Sequence, residues 1–98
     1  YNLDAWDGYP AERERLYSAL KAAGARPIAI AGDSHAFWVN DLKDAGGAQI
    51  GAEFGATSVT SPGFSDVVKG IDLGAAFAAR NEEVAFSDQG AKGFVLLT

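Results

Sequence analysis

The stretch PIAIAGDSH, from Pro27 to His35, decides the fold of this chain. Its first five residues are apolar and are bounded by turn residues, which is typical of a strand buried on both faces in a parallel or mixed sheet. Gly32 ends the strand, and Asp33 and His35 follow at once. Because ligand sites in open α/β sheets gather at the carboxyl ends of strands, this stretch predicts an α/β fold and the place of a site in it.

A helix precedes this strand and gives the first half of an α/β unit. Pro10 suits the first helical position, where a missing N–H costs nothing, and Glu12 and Glu14 lie in the first turn, where the helix dipole favours negative charge. Apolar residues then recur at helical spacing until Gly24, a residue that commonly ends helices. The pattern predicts a helix from Pro10 to Gly24.

Further strands and helices are predicted downstream from β-branched and aromatic runs, helical spacing and turn residues. They are a strand from Phe37, with a short helix as the alternative, a strand from Ile50 to near Pro62, one or two short helices between Phe64 and Arg80, and a hairpin formed by residues 84–86 and 93–97. Together with the first helix and strand, these elements predict one small α/β domain with a mixed sheet and a C-terminal hairpin.

Composition narrows the class of protein. With 98 residues, 48% of them hydrophobic, the chain can fold as a single small domain with a marginal core. A formal charge of -5 argues against a nucleic-acid or anionic membrane surface as partner, since both attract positive charge. The absence of cysteine excludes disulfides and zinc sites built on thiolates. We find no signal-peptide pattern and no apolar run long enough for a transmembrane segment, and we expect a piece of a longer protein.

Asp33 and His35 are the residues whose chemistry points to a metal. A carboxylate and an imidazole two residues apart can share a cation if the backbone bends, and Gly32 permits a bend. Such ligands suit iron, manganese or zinc. The alternative is structural, because Asp33 or Ser34 can cap a following helix and a lone histidine can be an ordinary hydrogen-bonding residue. A hydrolase triad built from Ser34 is disfavoured, because neighbouring residues on one loop cannot easily form its geometry.

Four stretches, taken in order, resemble the C-terminal region of PhoD-like alkaline phosphatases, which belong to the calcineurin-like metallophosphoesterases. They are NLDAWDGYPAERERL at 2–16, GDSHAFWVNDLKD at 32–44, GAEFGATSVTSPG at 51–63 and KGFVLLT at 92–98. That superfamily has a late metal-binding Gly-His-x-His loop, which in the PhoD-like branch is Gly-Asp-x-His and matches Gly32 to His35 here. The resemblance implies that Asp33 and His35 are metal ligands and assigns no catalytic or substrate-binding residue.

The resemblance also implies a fold and a location. The fold would be a sandwich of two mixed sheets flanked by helices, of which residues 1–98 would supply the C-terminal half, so the missing N-terminal half of the same domain is the expected partner. Relatives are periplasmic or secreted and hydrolyse phosphate monoesters and diesters, with iron and calcium at the metal site and zinc or manganese as alternatives. Core packing is the expected role of both Trp6 and Trp38.

The function expected from the resemblance is metal-dependent hydrolysis of phosphate esters by a longer enzyme, with this chain contributing part of the metal site. Two-metal phosphoesterases need further carboxylate and asparagine ligands, which we expect outside this chain, so the isolated 98 residues should be inactive or nearly so. The alternative function is a non-catalytic α/β module, or a truncated remnant, that binds a cation or a protein partner.

Overall fold

The structure, a computed structural model, describes residues 5–98; residues 1–4, which include the start of the 2–16 stretch quoted above, lie outside the described part. A short 3-10 turn spans Trp6–Gly8. The helices are α1 (Pro10–Ala22), α2 (Phe64–Val67) and α3 (Leu73–Arg80), and the strands are β1 (Ile28–Ala31), β2 (Phe37–Lys43), β3 (Gln49–Gly55) and β4 (Val84–Asp88). The predicted α/β class is confirmed.

Helix α1 begins and ends as its sequence predicts. Pro10 occupies its first position, and Gly24 follows its C-cap with a φ of 66°, in the left-handed region that glycine adopts most easily. The backbone N–H of Ala25 then donates to the carbonyl of Leu20, which closes the helix end. Lys21 near that end pairs with Asp44 after β2, with Nζ and Oδ2 2.8 Å apart, and so ties the helix to the sheet.

The four strands form one mixed sheet in the order β1-β3-β2-β4. Strand β1 pairs in parallel with β3, whereas β2 is antiparallel to both β3 and β4. Strands β1, β3 and β4 therefore run in one direction, and their carboxyl ends meet at the same edge of the sheet as the start of β2. The loops at this edge, which we call the edge loops, are residues 32–36, 56–63 and 89–93.

One face of the sheet carries the helices. Trp38 lies on this face opposite Gly55 and Ser87, and its ring packs against Phe77 of α3 with the ring centroids 5.4 Å apart. Gly74 of α3 lies against the Ser87 carbonyl, too close for any Cβ, which explains a glycine inside a helix. The expected packing role of Trp38 is confirmed. Trp6 differs, because 53% of its surface is exposed among the described residues.

The opposite face of the sheet carries an apolar row that crosses all four strands in register. The row, which we call the apolar row, consists of Ile30, Phe54, Val39 and Phe86. Ile30 is 78% exposed and Phe86 is 51% exposed, although such residues are normally removed from water in a sheet. Among the described residues, only three apolar side chains are buried, those of Tyr17, Ala36 and Ile50, which agrees with the marginal core expected from the length.

The predicted C-terminal hairpin is wrong, because residues 93–97 form no strand beside β4. After β4, the Asp88 carboxylate accepts the N–H groups of Gly90 and Ala91 and turns the chain. The Ala91 carbonyl then accepts from the Thr57 hydroxyl, and Gly93 donates to the Ser58 carbonyl, so the chain leaves along the loop that follows β3. Strand β4 pairs with β2 instead.

Strand β3 is shorter than predicted and ends at Gly55 rather than near Pro62. Ala56 still donates to the Ala31 carbonyl, but the Ser58 hydroxyl bonds to the Ser61 carbonyl at 2.6 Å and folds the following residues into a turn. The region between Phe64 and Arg80 holds two short helices, as predicted. No helix in the described residues 5–98 has the length and apolar character needed to cross a membrane.

Candidate metal centre

The edge loops bring both candidate ligands to the carboxyl ends of the parallel strands. Asp33 and His35 lie in the loop between β1 and β2, at the edge where the loops after β3 and β4 also arrive. Both residues therefore lie at the strand end where the sequence places them, and their role as metal ligands stays a prediction. No helix follows the Gly32–His35 loop, so the helix-cap reading of Asp33 and Ser34 is wrong.

The backbone of this loop is strained at both candidate ligands. Asp33 has a φ of 68° and His35 a φ of 56°, and these are the two non-glycine residues with positive φ in the described chain. The left-handed region costs an ordinary residue about 1–2 kcal/mol, although Asp tolerates it better than most. Such strain persists where the surroundings impose it, and it clusters at ligand sites. The bend expected at Gly32 is made instead at Asp33 and His35.

The imidazole of His35 is oriented by a backbone carbonyl. Its Nδ1 lies 2.7 Å from the carbonyl oxygen of Pro62 in the loop after β3. A carbonyl only accepts hydrogen bonds, so Nδ1 carries a proton and donates it, and in the neutral ring Nε2 has the free lone pair. Metal-binding histidines commonly donate their second N–H to a carbonyl or carboxylate in this way. The arrangement leaves Nε2 of His35 as the ring nitrogen that is able to accept a cation.

Gly63 allows the loop after β3 to approach His35. A Cβ at Gly63 would lie 2.8 Å from the His35 carbonyl oxygen, closer than real Cβ atoms come, and 3.5 Å from the Gln89 carbonyl oxygen. The three edge loops therefore meet at Gly63, and only a residue without a side chain fits there. Gln89 itself is 3% exposed, and its amide donates to the Ser87 hydroxyl.

Lys92 ties the third edge loop to the second. Its ammonium lies 2.8 Å from the Ser61 carbonyl oxygen, 3.2 Å from the Ser58 hydroxyl and 3.5 Å from the Asp66 carboxylate. Asp66 in turn accepts the N–H of Gly63 at 2.6 Å. This backbone hydrogen bond, followed by the Lys92 charge, lowers the pKa of Asp66 below its ordinary value, so the carboxylate is charged at neutral pH.

Sequence reasoning found Asp33 and His35 but missed the residues that support them. Pro62, Gly63, Asp66 and Lys92 are separated from the Gly32–His35 loop by 27 residues or more, and only the tertiary fold brings them to it. The SPG sequence at 61–63 is a turn signal, but a turn signal does not say which side chain the turn will meet.

The candidate centre is incomplete within the described residues. Residues 5–98 contain no group of three or more histidine, aspartate or glutamate side chains close enough to hold a metal together. Chemically, Asp33 and His35 supply one carboxylate oxygen donor and one imidazole nitrogen donor, which suit a divalent or trivalent transition metal. A complete coordination sphere needs further ligands beyond these two.

A wide cleft opens beside Asp33 on the helix-covered face. It has a volume of about 1130 Å³ and lies between α1 and the sheet, with Asp33 and Ser34 at one end and Asn40 and Glu53 on its floor. The Asn40 side-chain oxygen is buried there without a hydrogen-bond partner in the described structure. The cleft therefore contains a buried side-chain oxygen that is unsatisfied in the described structure, as expected where further protein or ligand packs.

Comparison with known proteins identifies the family. A family model described as PhoD-like phosphatase matches residues 1–98. Alkaline phosphatase D of Bacillus subtilis strain 168 is 40% identical over 68 residues, which cover 64% of this chain and 12% of that protein. The chain thus spans a small part of the relative it matches, and no solved structure matches it. The match over the full length shows that the chain belongs to the PhoD-like phosphatase family.

Proposed function

We propose that the full-length protein that carries this chain hydrolyses phosphate esters with bound metal ions, and that Asp33 and His35 are two of the metal ligands. The observation that carries the proposal is the hydrogen bond from His35 Nδ1 to the Pro62 carbonyl, which leaves Nε2 free, in the same loop as Asp33. Membership in a phosphatase family supports the reaction class. The resemblance suggests iron and calcium as the metals, with zinc or manganese as alternatives.

Asp33, Ser34 and His35 each have a role in this proposal. Asp33 provides a hard, negatively charged oxygen, and His35 provides a neutral nitrogen whose direction is set by Pro62. Trp38 donates to the Ser34 hydroxyl at 3.0 Å and fixes the loop between the two ligands. Bound metals would supply charge that neutralises the phosphoryl oxygens and would make a coordinated water a stronger nucleophile.

The apolar row supports the proposal that this chain is half of a two-sheet sandwich. Sheets in sandwiches pack with their apolar faces about 10 Å apart, and the exposed side chains of Ile30 and Phe86 offer such a face. The matched relative extends far beyond the aligned residues, so a longer protein has chain available to cover it. We therefore propose that the other sheet of the same domain packs on the apolar row and brings the remaining metal ligands to the edge loops.

The test is made in the full-length protein with His35→Asn and Asp33→Asn. Asparagine tolerates the left-handed backbone, so both variants should keep the fold while each removes one ligand. We expect each variant to lose bound metal, measured by elemental analysis, and at least tenfold in kcat/KM with an aryl phosphate. Glu82→Gln is the matched control, because Glu82 is an exposed carboxylate at the opposite edge of the sheet.

Two outcomes would reject the proposal. If both variants keep full metal content and turnover, Asp33 and His35 are not ligands. If the wild-type protein binds no metal and hydrolyses no phosphate ester, the protein is a non-catalytic member of its family that retains the scaffold. The 98 residues alone should show no turnover above a buffer control, because two ligands cannot hold a two-metal site.

A further inference from the structure

Lys92 makes more contacts than a surface lysine needs. Its side chain is 28% exposed, and its ammonium has one oxygen acceptor for each of its three hydrogens, on Ser58, Ser61 and Asp66. Holding a long side chain in one arrangement costs about 1.5–2 kcal/mol of conformational entropy. All three acceptors belong to the loop after β3 or to the helix that follows it, so the contacts fix that segment.

The Ser61 carbonyl belongs to the peptide plane that enters Pro62. Lys92 binds this carbonyl directly, at 2.8 Å, and so sets the direction of the plane. The proline ring locks φ near -65°, so Pro62 ψ is the one soft dihedral angle between the Ser61 carbonyl and the Pro62 carbonyl. Once Lys92 fixes the Ser61 carbonyl, the Pro62 carbonyl that accepts from His35 can therefore turn only by rotation about Pro62 ψ.

The Gly63 N–H belongs to the same peptide plane as the Pro62 carbonyl. Asp66 accepts this N–H at 2.6 Å, and Asp66 is paired with Lys92 at 3.5 Å. Because the peptide group is planar, a fixed direction of the Gly63 N–H also fixes the direction of the Pro62 carbonyl. Lys92 thus constrains both planes that flank Pro62, one directly and one through Asp66, and leaves the Pro62 carbonyl little freedom to turn away from His35.

We propose that Lys92 and Asp66 are positioning residues that aim the Nε2 atom of His35 by fixing the Pro62 carbonyl. The inference rests on the proposed function, since it concerns the direction of a metal ligand. Neither Lys92 nor Asp66 contacts the metal or the substrate, and both act through Pro62.

The main experiment measures metal affinity and steady-state kinetics of Lys92→Met in the full-length protein. Methionine keeps a long unbranched stem and removes the ammonium. Loss of a group that orients a metal-binding histidine typically costs 10- to 100-fold in metal affinity or activity. We expect a loss of that size in the metal affinity of Lys92→Met. When metal is limiting, the kinetic loss should appear mainly in kcat. Lys92→Arg should restore part of it. Lys69→Met is the matched control, because the exposed Lys69 lowers the pKa of Asp66 by its charge without bonding to the loop.

A double variant separates positioning from general damage. If Lys92 acts through His35, then Lys92→Met should cause no further loss of metal in a protein that already carries His35→Asn, whereas unrelated destabilisation would add to it. If Lys92→Met unfolds the protein, Asp66→Asn replaces it, since that change keeps the shape and removes the charged acceptor of Gly63. Metal affinity within twofold of wild type in both variants, or full additivity with His35→Asn, would overturn the inference. Normal metal binding by His35→Asn alone would instead reject the proposed function.

Discussion

The indole N–H of Trp38 donates to the Ser34 hydroxyl across a distance of 3.0 Å. Trp38 belongs to β2, and its ring is held between Phe77 and Gly55, where a Cβ would lie 3.1 Å from the indole. Ser34 belongs to the strained loop between the two candidate ligands. A tryptophan packed on the sheet therefore anchors the loop that has positive φ at both candidate ligands.

Trp38→Phe should keep the ring packing and release the loop. The variant loses one hydrogen bond, so we expect the free energy of unfolding to fall by about 1 kcal/mol plus the cost of the smaller ring. Ser34→Ala loses the same bond and no packing. The free energies of unfolding of both single variants and the double variant, measured in urea, should give a coupling of about 0.5–1.5 kcal/mol. A coupling of zero would show that the bond does not hold the loop.

The strain at Asp33 predicts a gain in stability when the ligand is removed. Glycine adopts a φ of 68° without steric cost, so Asp33→Gly should raise the free energy of unfolding of the metal-free protein by up to about 1 kcal/mol while lowering metal affinity. Ala79→Gly inside α3 is the matched control, and it should lose about 1 kcal/mol. If Asp33→Gly is as destabilising as the control, the loop stores no strain at this residue.

The ion pair between Lys21 and Asp44 predicts how stability depends on pH. The Lys21 hydrogen bond and the Ala48 N–H lower the pKa of Asp44 below its ordinary value of 3.8. A lowered carboxyl pKa gives stability that is present above the ordinary value and is lost as pH falls through the lower one. The free energy of unfolding should therefore decrease with falling pH below about 4 to 5, and Asp44→Asn should make that decrease smaller. An unchanged slope in Asp44→Asn would contradict the assignment.

Some of this structure could be predicted because the signals are local. Pro10 and Gly24 mark the ends of α1 by their own backbone properties, and the apolar run before Gly32 identifies β1 without reference to other residues. The same holds for the candidate site, since the sequence places Asp33 and His35 directly after a strand. The strand-end rule then locates them at the correct edge of the sheet.

The errors arose after β3 and β4, where side-chain hydrogen bonds decide the course of the chain. Residues 93–97 have the composition of a strand, but the hydrogen bond between Thr57 and Ala91 and the contacts of Lys92 direct the chain along another loop. β3 likewise stops at Gly55 because a side chain, Ser58, forms a turn that competes with pairing. The contacts of Thr57 and Lys92 depend on which loops the sheet brings together, so sequence spacing does not reveal them, whereas the Ser58 turn is local and was missed beside a run of strand-forming residues.

A lysine in the apolar row should benefit the isolated chain and destabilise the full-length protein. Ile30 is 78% exposed in this chain, so Ile30→Lys should make the isolated 98 residues more soluble and less prone to associate. In the full-length protein the same change should cost about 2 kcal/mol or more of unfolding free energy, because a second sheet would bury this position. Sedimentation of the isolated chain and urea unfolding of the full-length protein measure the two effects.

The control for this prediction is Ile71→Lys, because Ile71 is also exposed but lies outside the sheet, between α2 and α3. It should change the solubility of the isolated chain little and should leave the full-length stability within about 0.5 kcal/mol, the usual range for surface substitutions. If Ile30→Lys is equally harmless in the full-length protein, the apolar row faces solvent there. The other half of the domain would then reach the edge loops without packing on this face of the sheet.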